Sequence, residues 1–144
     1  MRIMRSIMAG ALAVTLATAC SDSTAPAGDD LVGTWVATTA TFTPDGGTAF
    51  DLLADGSGFT IVIRADNTYT VTFTEPDSEP DVENGTYTLS GGVLTVTPTG
   101  EPTEVESFDV SLNGDTLTMT DDDAVEDDGE VEVTGTLRLV LQRQ

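Results

Sequence analysis

Residues 59–74 read FTIVIRADNTYTVTFT, and apolar side chains recur there at every second position in two runs. The alternating positions are Phe59, Ile61 and Ile63 in the first run and Tyr69, Val71 and Phe73 in the second. This period of two predicts two β-strands, about 59–64 and 68–74, in a sheet with one face against a core and one against water. The three residues between the runs predict a short hairpin loop, so the two strands pair antiparallel.

The rest of the chain after residue 30 shows further short strand patterns and no convincing helical period. Asn113-Gly114 lies between two alternating runs, which strongly indicates a tight hairpin. The segments 75–83 and 121–130 are rich in acids and are predicted to be loops. The other predicted strands are about 31–42, 85–90, 93–97, 105–112, 116–120 and 131–141.

Eight strands in sequence with short connections predict an all-β fold, an antiparallel up-and-down barrel over residues 31–144. Closure removes the two exposed edges that an open sheet would leave. A two-sheet sandwich is the alternative architecture. An eight-stranded barrel has an interior that side chains just fill, or that holds one small ligand. The side chains expected to point inward and line such a ligand site are Trp35, Phe59, Ile61, Ile63, Tyr69, Val71, Phe73, Tyr87, Leu89, Leu117 and Met119.

The first 19 residues have the layout of a secretory signal peptide. Arg2 and Arg5 are followed by an apolar run that is shorter than the roughly 20 residues a bilayer-spanning helix needs. The run ends in small residues directly before Cys20, which resembles the lipobox of bacterial lipoproteins. That resemblance implies that Cys20 is lipidated and that its acyl chains attach the protein to the membrane. An ordinary secretory signal followed by a free thiol is the alternative.

Residues 20–30 are small and polar, and predict a flexible tether between the acylated cysteine and the barrel. Ser21, and not an aspartate, follows Cys20, which resembles lipoproteins sorted to the outer membrane of Gram-negative bacteria. The sequence therefore predicts an exported protein that is anchored to the outer membrane, on a side that it does not specify.

Net charge excludes several classes of partner. The chain has 25 acidic and 5 basic residues, and after the signal peptide the basic residues are Arg64, Arg138 and Arg143. Nucleic-acid binding needs a basic surface, so it is excluded, as is polybasic attachment to anionic lipid. Because Cys20 is the only cysteine, no disulfide forms within the chain, and a hydrophobic core must stabilise the domain.

Gly33 and Trp35 lie at the start of the first predicted strand, in the run LVGTW. A Gly-x-Trp that opens an eight-strand meander resembles the N-terminal signature of the lipocalins and the wider calycin superfamily. The resemblance implies that Trp35 closes one end of the barrel and that a basic residue of the last strand lies across its indole. We assign Arg138 to this place, with Arg143 as the second candidate, since a guanidinium stacks well on an indole face.

The resemblance covers the layout of residues 31–144 and is strongest to the small lipocalin-like domains of bacterial lipoproteins. It implies a lipid-anchored binding protein for a small hydrophobic ligand in the bacterial envelope. The alternative is a non-catalytic structural or interaction module with a packed core and acidic loops. No cofactor is expected, and the sequence identifies no protein partner.

The residue content argues against an enzyme. The chain contains no histidine and no lysine, and lipidation would consume the only thiol, so the usual bases and nucleophiles are missing. Ser57, between two glycines, lacks the Gly-x-Ser-x-Gly spacing of a nucleophile elbow and is predicted to lie in a loop. Glu104, Glu106 and Asp109 are the only acids that the strand pattern brings near the barrel interior.

The acidic loop 121–130 is a candidate for weak calcium binding, because Ca²⁺ takes six to eight oxygen ligands. The candidate ligands are Asp121, Asp123, Asp127 and Asp128. The spacing does not match an EF-hand, and a solvated charge run at the open end of the barrel is the preferred interpretation.

Overall fold

The computed structural model describes residues 25–101, 104–127 and 132–144. In this part of the chain, one four-residue helix, α1 (Gly28–Leu31), precedes a series of antiparallel strands. The strands are β1 (Gly33–Pro44), β2 (Phe50–Asp51), β3 (Gly58–Ile63), β4 (Thr68–Thr74), β5 (Asp81–Ser90), β6 (Val93–Pro98), β7 (Glu106–Asn113), β8 (Thr116–Asp127) and β9 (Glu132–Arg143).

The strands form one sheet that closes on itself. From β3 to β9 each strand pairs with the next, and β1 joins β3 on one edge and β9 on the other. The closing pair runs from Trp35 opposite Arg143 to Pro44 opposite Gly135. The two-residue β2 lies beside the end of β1, so the barrel itself has eight strands. The predicted up-and-down barrel is confirmed, and closure through β1 and β9 excludes the two-sheet sandwich.

The hairpins follow the turn chemistry of the sequence. Asn113 and Thr116 pair across the β7–β8 turn, where Gly114 has a positive φ of 57° that few other residues adopt readily. Two glycines with positive φ, Gly91 and Gly92, connect β5 to β6 in the same way. Such left-handed turns match the twist of paired strands and make a tight connection.

The two predicted acidic loops are shorter than expected, because strands extend into both of them. β5 begins at Asp81 and β8 continues to Asp127. β8 stays paired with β9 through this region, and a register shift between Asp121 and Ala124 accommodates one extra residue on β8. Asp81, Asp122 and Asp123 stay exposed in these strand extensions, and Glu126 is buried. Pairing with a neighbouring strand therefore outweighs the weak β-preference of the acidic residues.

The chain just before β1 packs against the barrel. Pro26 is buried, and Leu31, in α1, has no exposed surface. A Cβ built on Gly92 would lie 3.3 Å from the Cβ of Ala25, which places Ala25 beside the β5–β6 turn. Residues 25–30 of the predicted tether therefore lie against the barrel, and residues 20–24 lie outside the described residues. In the described ranges no helix is long and apolar enough to span a bilayer.

Candidate ligand-binding site

One end of the barrel, which we call the closed end, carries α1 and the turns at 64–67, 91–92 and 114–115. The Trp35 side chain lies beneath α1 and donates a hydrogen bond from Nε1 to the carbonyl of Leu31, at 2.8 Å. The guanidinium of Arg143 covers the indole, with Cζ 4.2 Å from the ring centroid. A cation over the face of a tryptophan is attracted by the ring quadrupole, so the two side chains stabilise each other.

Arg143 also ties the N-terminal segment to the barrel. Its Nη1 donates to the carbonyl of Val32 at 2.7 Å, and its Nη2 donates to the carbonyl of Asp30 at 2.6 Å. Gly33 makes room for this group, because a Cβ at that position would lie 2.7 Å from Nη1 of Arg143. The Gly-x-Trp motif thus supplies space for the arginine and an aromatic surface for it to cover.

The assignment of Arg138 to this place is wrong. Arg138 is exposed, and it lies out of phase with Leu139 and Leu141, which point into the barrel. Arg143 is in phase with those two leucines and lies at the closed end, so it covers the indole in place of Arg138. The second candidate from the sequence is the one that the structure selects.

Two buried tyrosines in the interior donate hydrogen bonds to other parts of the barrel. The Tyr87 hydroxyl donates to the carbonyl of Arg64 at 2.8 Å, and burial raises the pKa of Tyr87. The Tyr69 hydroxyl donates to Oε1 of Glu83 at 2.7 Å. The ring of Tyr69 lies over Gly85, where a Cβ would come within 2.6 Å of ring atom Cε1 and would overlap the carbonyl of Thr97. Gly85 therefore provides the space that the Tyr69 ring occupies.

All the side chains predicted to be inward are at least partly buried. The buried ones are Trp35, Ile61, Ile63, Tyr69, Tyr87, Leu117 and Met119, and the partly buried ones are Phe59, Val71, Phe73 and Leu89. Their role in ligand binding stays a prediction. Of the partly buried positions, Phe59, Val71 and Phe73 lie toward the other end, whereas Leu89 lies beside the β5–β6 turn at the closed end.

The side chains predicted to point inward include none from β6, β7 or β9, although each of these strands has buried residues. The omitted buried residues are Leu94 and Val96 on β6, Phe108 and Val110 on β7, and Leu139 and Leu141 on β9. The same period of two marks all three strands in the sequence, so this signal was present. Phe42 is buried as well, and its ring packs 5.6 Å from that of Phe50 on β2.

The opposite end, which we call the open end, lies where residues 45–57, 75–80 and 99–105 connect the strands. Four apolar side chains on its inner face, Phe59, Val71, Phe73 and Leu137, are only partly buried. The pairs Phe59–Phe73 and Ile61–Val71 place those of β3 and β4 side by side. This inner apolar surface is the candidate ligand-binding site.

Carboxylates share the inner face with these apolar groups. The cross-strand pairs are Glu83 with Val71, Glu106 with Val96 and Asp121 with Leu137. Burial raises the pKa of Asp121, although the backbone N–H of Asp123 donates to its Oδ1 at 3.0 Å and opposes that effect. The site therefore offers apolar contact beside negative charge, which favours a neutral or cationic head group over an anionic one.

The structure brings together only some of the proposed calcium ligands. Asp121 faces inward, and Asp123 lies at the register shift, where its N–H binds Asp121. Asp128 and the side chain of Asp127 lie outside the described residues. Among the residues that are described, no group of three acids is arranged to hold a metal ion.

The acids considered for catalysis do not converge. Glu106 pairs with the buried Val96 and so faces the interior, whereas Asp109 is exposed on the outer face of the same strand. Glu104 lies in the connection before β7, and Ser57 lies in the loop before β3. Cys20, the predicted lipidation site, lies outside the described residues.

Comparison with known proteins identifies the family. The sequence model of a lipocalin-like domain matches residues 31–119, which is more than half of the chain. The chain belongs to the lipocalin-like domain family. The match includes Gly33 and Trp35, so the resemblance predicted from this motif is confirmed for the lipocalin-like domain. A search of curated proteins found no match to the chain.

Two solved structures share the fold of this lipocalin-like domain. A lipocalin-like protein from Bacteroides uniformis aligns with a TM-score of 0.54 and 16% identity, over 80% of this chain and 99% of the other. An uncharacterized protein from Bacteroides eggerthii aligns with a TM-score of 0.52 and 12% identity, over 78% of this chain and 98% of the other. At these identities the similarity is one of fold.

Proposed function

We propose that this lipocalin-like domain binds a small hydrophobic molecule in the open half of its barrel. The observation that carries the proposal is the partly exposed inner surface formed by Phe59, Val71, Phe73 and Leu137. The filled closed half forms a floor beneath it, so the ligand enters at the open end. Proteins with this fold are typically non-catalytic binding proteins, which agrees with the shortage of catalytic side chains.

We further propose that the protein is exported and is anchored to the bacterial outer membrane through acyl chains on Cys20. The support is the apolar run that ends in small residues directly before Cys20, with Ser21 after it. Globomycin, which blocks lipoprotein signal cleavage, should make the uncleaved precursor accumulate in the membrane fraction. An unchanged mature mass and solubility after treatment would overturn the anchor.

Native mass spectrometry tests the ligand. Residues 21–144, purified from an exporting host, should carry a small co-purifying mass that disappears when the sample is denatured. That mass would also identify the ligand class. A bare polypeptide that takes up no fluorescent fatty acid or fatty alcohol would instead favour a packed interaction module, which the fully buried Leu117 and Leu141 also fit.

A matched pair of variants locates the site. Val71→Thr keeps the side-chain shape but places a hydroxyl on the inner surface, and Val62→Thr makes the same change on the outer face of the neighbouring strand. An apolar ligand that covers this hydroxyl removes it from water at a cost of about 1–3 kcal/mol, so the Kd for a fluorescent fatty alcohol should rise about tenfold in Val71→Thr. Equal affinities for the two variants would place the ligand elsewhere.

A further inference from the structure

We propose that the closed end of the barrel faces the membrane that holds Cys20, and that the open end faces away from it. This orientation rests on the lipid anchor proposed above and adds to it the side from which the ligand enters.

The first observation is where the N-terminal segment meets the barrel. Ala25 lies beside Gly92 in the β5–β6 turn, and Pro26 is buried. Arg143 then holds the carbonyls of Asp30 and Val32. The chain therefore leaves the barrel at the closed end, at a point fixed by packing and hydrogen bonds.

The second observation is how little chain remains between that point and the anchor. Ala25 follows Cys20 by five positions, and five residues reach at most about 18 Å when fully extended. β1 has 12 residues. Such a strand, tilted by about 40° to the barrel axis, rises roughly 30 Å, which sets the distance between the two ends. The anchor is thus too short to pass along the barrel wall and bring the open end to the bilayer.

The third observation is the distribution of charge. The open-end connections 45–57, 75–80 and 99–105 contain several acids and no arginine or lysine. Arg64 and Arg143 both lie at the closed end, where they offset part of the negative charge of the four aspartates at that end, Asp29, Asp30, Asp66 and Asp115. A membrane with anionic lipids repels the open end more strongly than the closed end, and this repulsion acts in the same direction as the short tether.

The consequence concerns ligand exchange. With the open end turned away from the anchoring leaflet, a hydrophobic molecule passes between the barrel and the aqueous compartment, or a partner in it. It does not pass directly from the bilayer beneath the protein.

Two single-cysteine variants test the orientation. Ser90→Cys places a fluorophore at the closed end beside the β5–β6 turn, and Ser78→Cys places it in the β4–β5 loop at the open end; both serines are exposed. Because lipidation consumes the thiol of Cys20, the full-length protein is labelled at the new position alone. Each labelled protein is reconstituted into phosphatidylcholine vesicles that contain a lipid with a nitroxide on its head group.

The label at Ser90→Cys should be quenched roughly twofold or more relative to the label at Ser78→Cys, since about 30 Å separates the two ends. Equal quenching, or stronger quenching at the open end, would overturn the orientation. Failure of both proteins to sediment with the vesicles would instead show that the lipid anchor is absent. That result would overturn the proposed orientation as well. Ligand binding is measured separately in detergent, so its loss is a distinct result.

A longer tether provides the control. Inserting about 20 Gly/Ser residues before Ala25 gives a random-coil reach of about 25 Å, enough for the barrel to tumble above the bilayer. The difference in quenching between the two labels should then largely disappear. A difference that persists unchanged would contradict a tether that sets the orientation.

Discussion

Removing the Arg143 side chain tests whether the closed end is held together as the geometry indicates. Arg143→Ala deletes two hydrogen bonds from a charged donor, to the carbonyls of Val32 and Asp30, and the cation above Trp35. It also deletes a contact of 3.4 Å with the carboxylate of Asp115, whose side chain is 77% exposed.

The expected loss of stability can be estimated from these contacts. Each of these partly solvated hydrogen bonds contributes about 1 kcal/mol, the typical net value for a hydrogen bond in a protein. The cation–π contact adds about 0.5–1 kcal/mol at a partly exposed site, and the exposed ion pair adds under about 0.5 kcal/mol. We therefore expect Arg143→Ala to lower the free energy of unfolding by about 3 kcal/mol. With an m-value near 1.5 kcal/mol per M, the urea midpoint falls by about 2 M.

The measurement is urea unfolding of residues 21–144 followed by the fluorescence of Trp35, the only tryptophan in the chain. Arg138→Ala is the matched control, because it removes the same charge from an exposed position and should change stability by less than about 0.5 kcal/mol. Arg143→Lys should fall between the wild type and Arg143→Ala, since an ammonium does not reproduce the planar fork of donors. Equal midpoints for the two alanine variants would refute the role assigned to Arg143.

Three further predictions concern packing, charge and ligand preference. Gly85→Ala should lower the free energy of unfolding by about 3 kcal/mol or prevent folding, because its Cβ would overlap the carbonyl of Thr97. Gly28→Ala is the control: its Cβ would meet open space, so its melting temperature in thermal unfolding should stay nearly that of the wild type. Burial raises the pKa of Asp121 in the folded state, so the ionised carboxylate opposes folding. At neutral pH, Asp121→Asn should therefore raise the melting temperature more than the same change at the exposed Asp109 does. The gain in melting temperature should vanish below pH 3.8, the ordinary aspartate pKa, because Asp121 is then neutral in both the folded and the unfolded state. A larger gain in melting temperature at acidic than at neutral pH would contradict a raised pKa of Asp121. A fluorescent fatty alcohol should bind more tightly than the matching fatty acid at low salt, and indistinguishable Kd values would argue against carboxylates beside the ligand.

The alternating runs of residues 59–74 were sufficient to predict both strands, their pairing and their inner faces. Local pattern works there because one side of the sheet is buried and the other meets water, so every second residue is under the same constraint. The Asn113-Gly114 turn was predictable for a similarly local reason, since its backbone conformation favours those two residue types.

Other features depend on contacts between distant parts of the chain. The acids of β8 are typical of a loop, and they lie in a strand because β9 supplies a partner. The burial of Pro26 depends on where the barrel end lies, and no periodicity marks it. The choice between Arg138 and Arg143 could have been made from the sequence. The period of two in the last strand places Arg143, and not Arg138, on the same face as the inward Leu141.

The closure of the barrel has a consequence for how the chain folds. The guanidinium of Arg143, on the last strand, binds carbonyls that lie 111 and 113 positions earlier. Pairings of such long sequence separation are slow to form, and proteins dominated by them fold in roughly milliseconds to seconds. The barrel therefore closes only after the segment that carries Arg143 has been synthesised, and truncation before Arg143 removes the contact that completes the closed end.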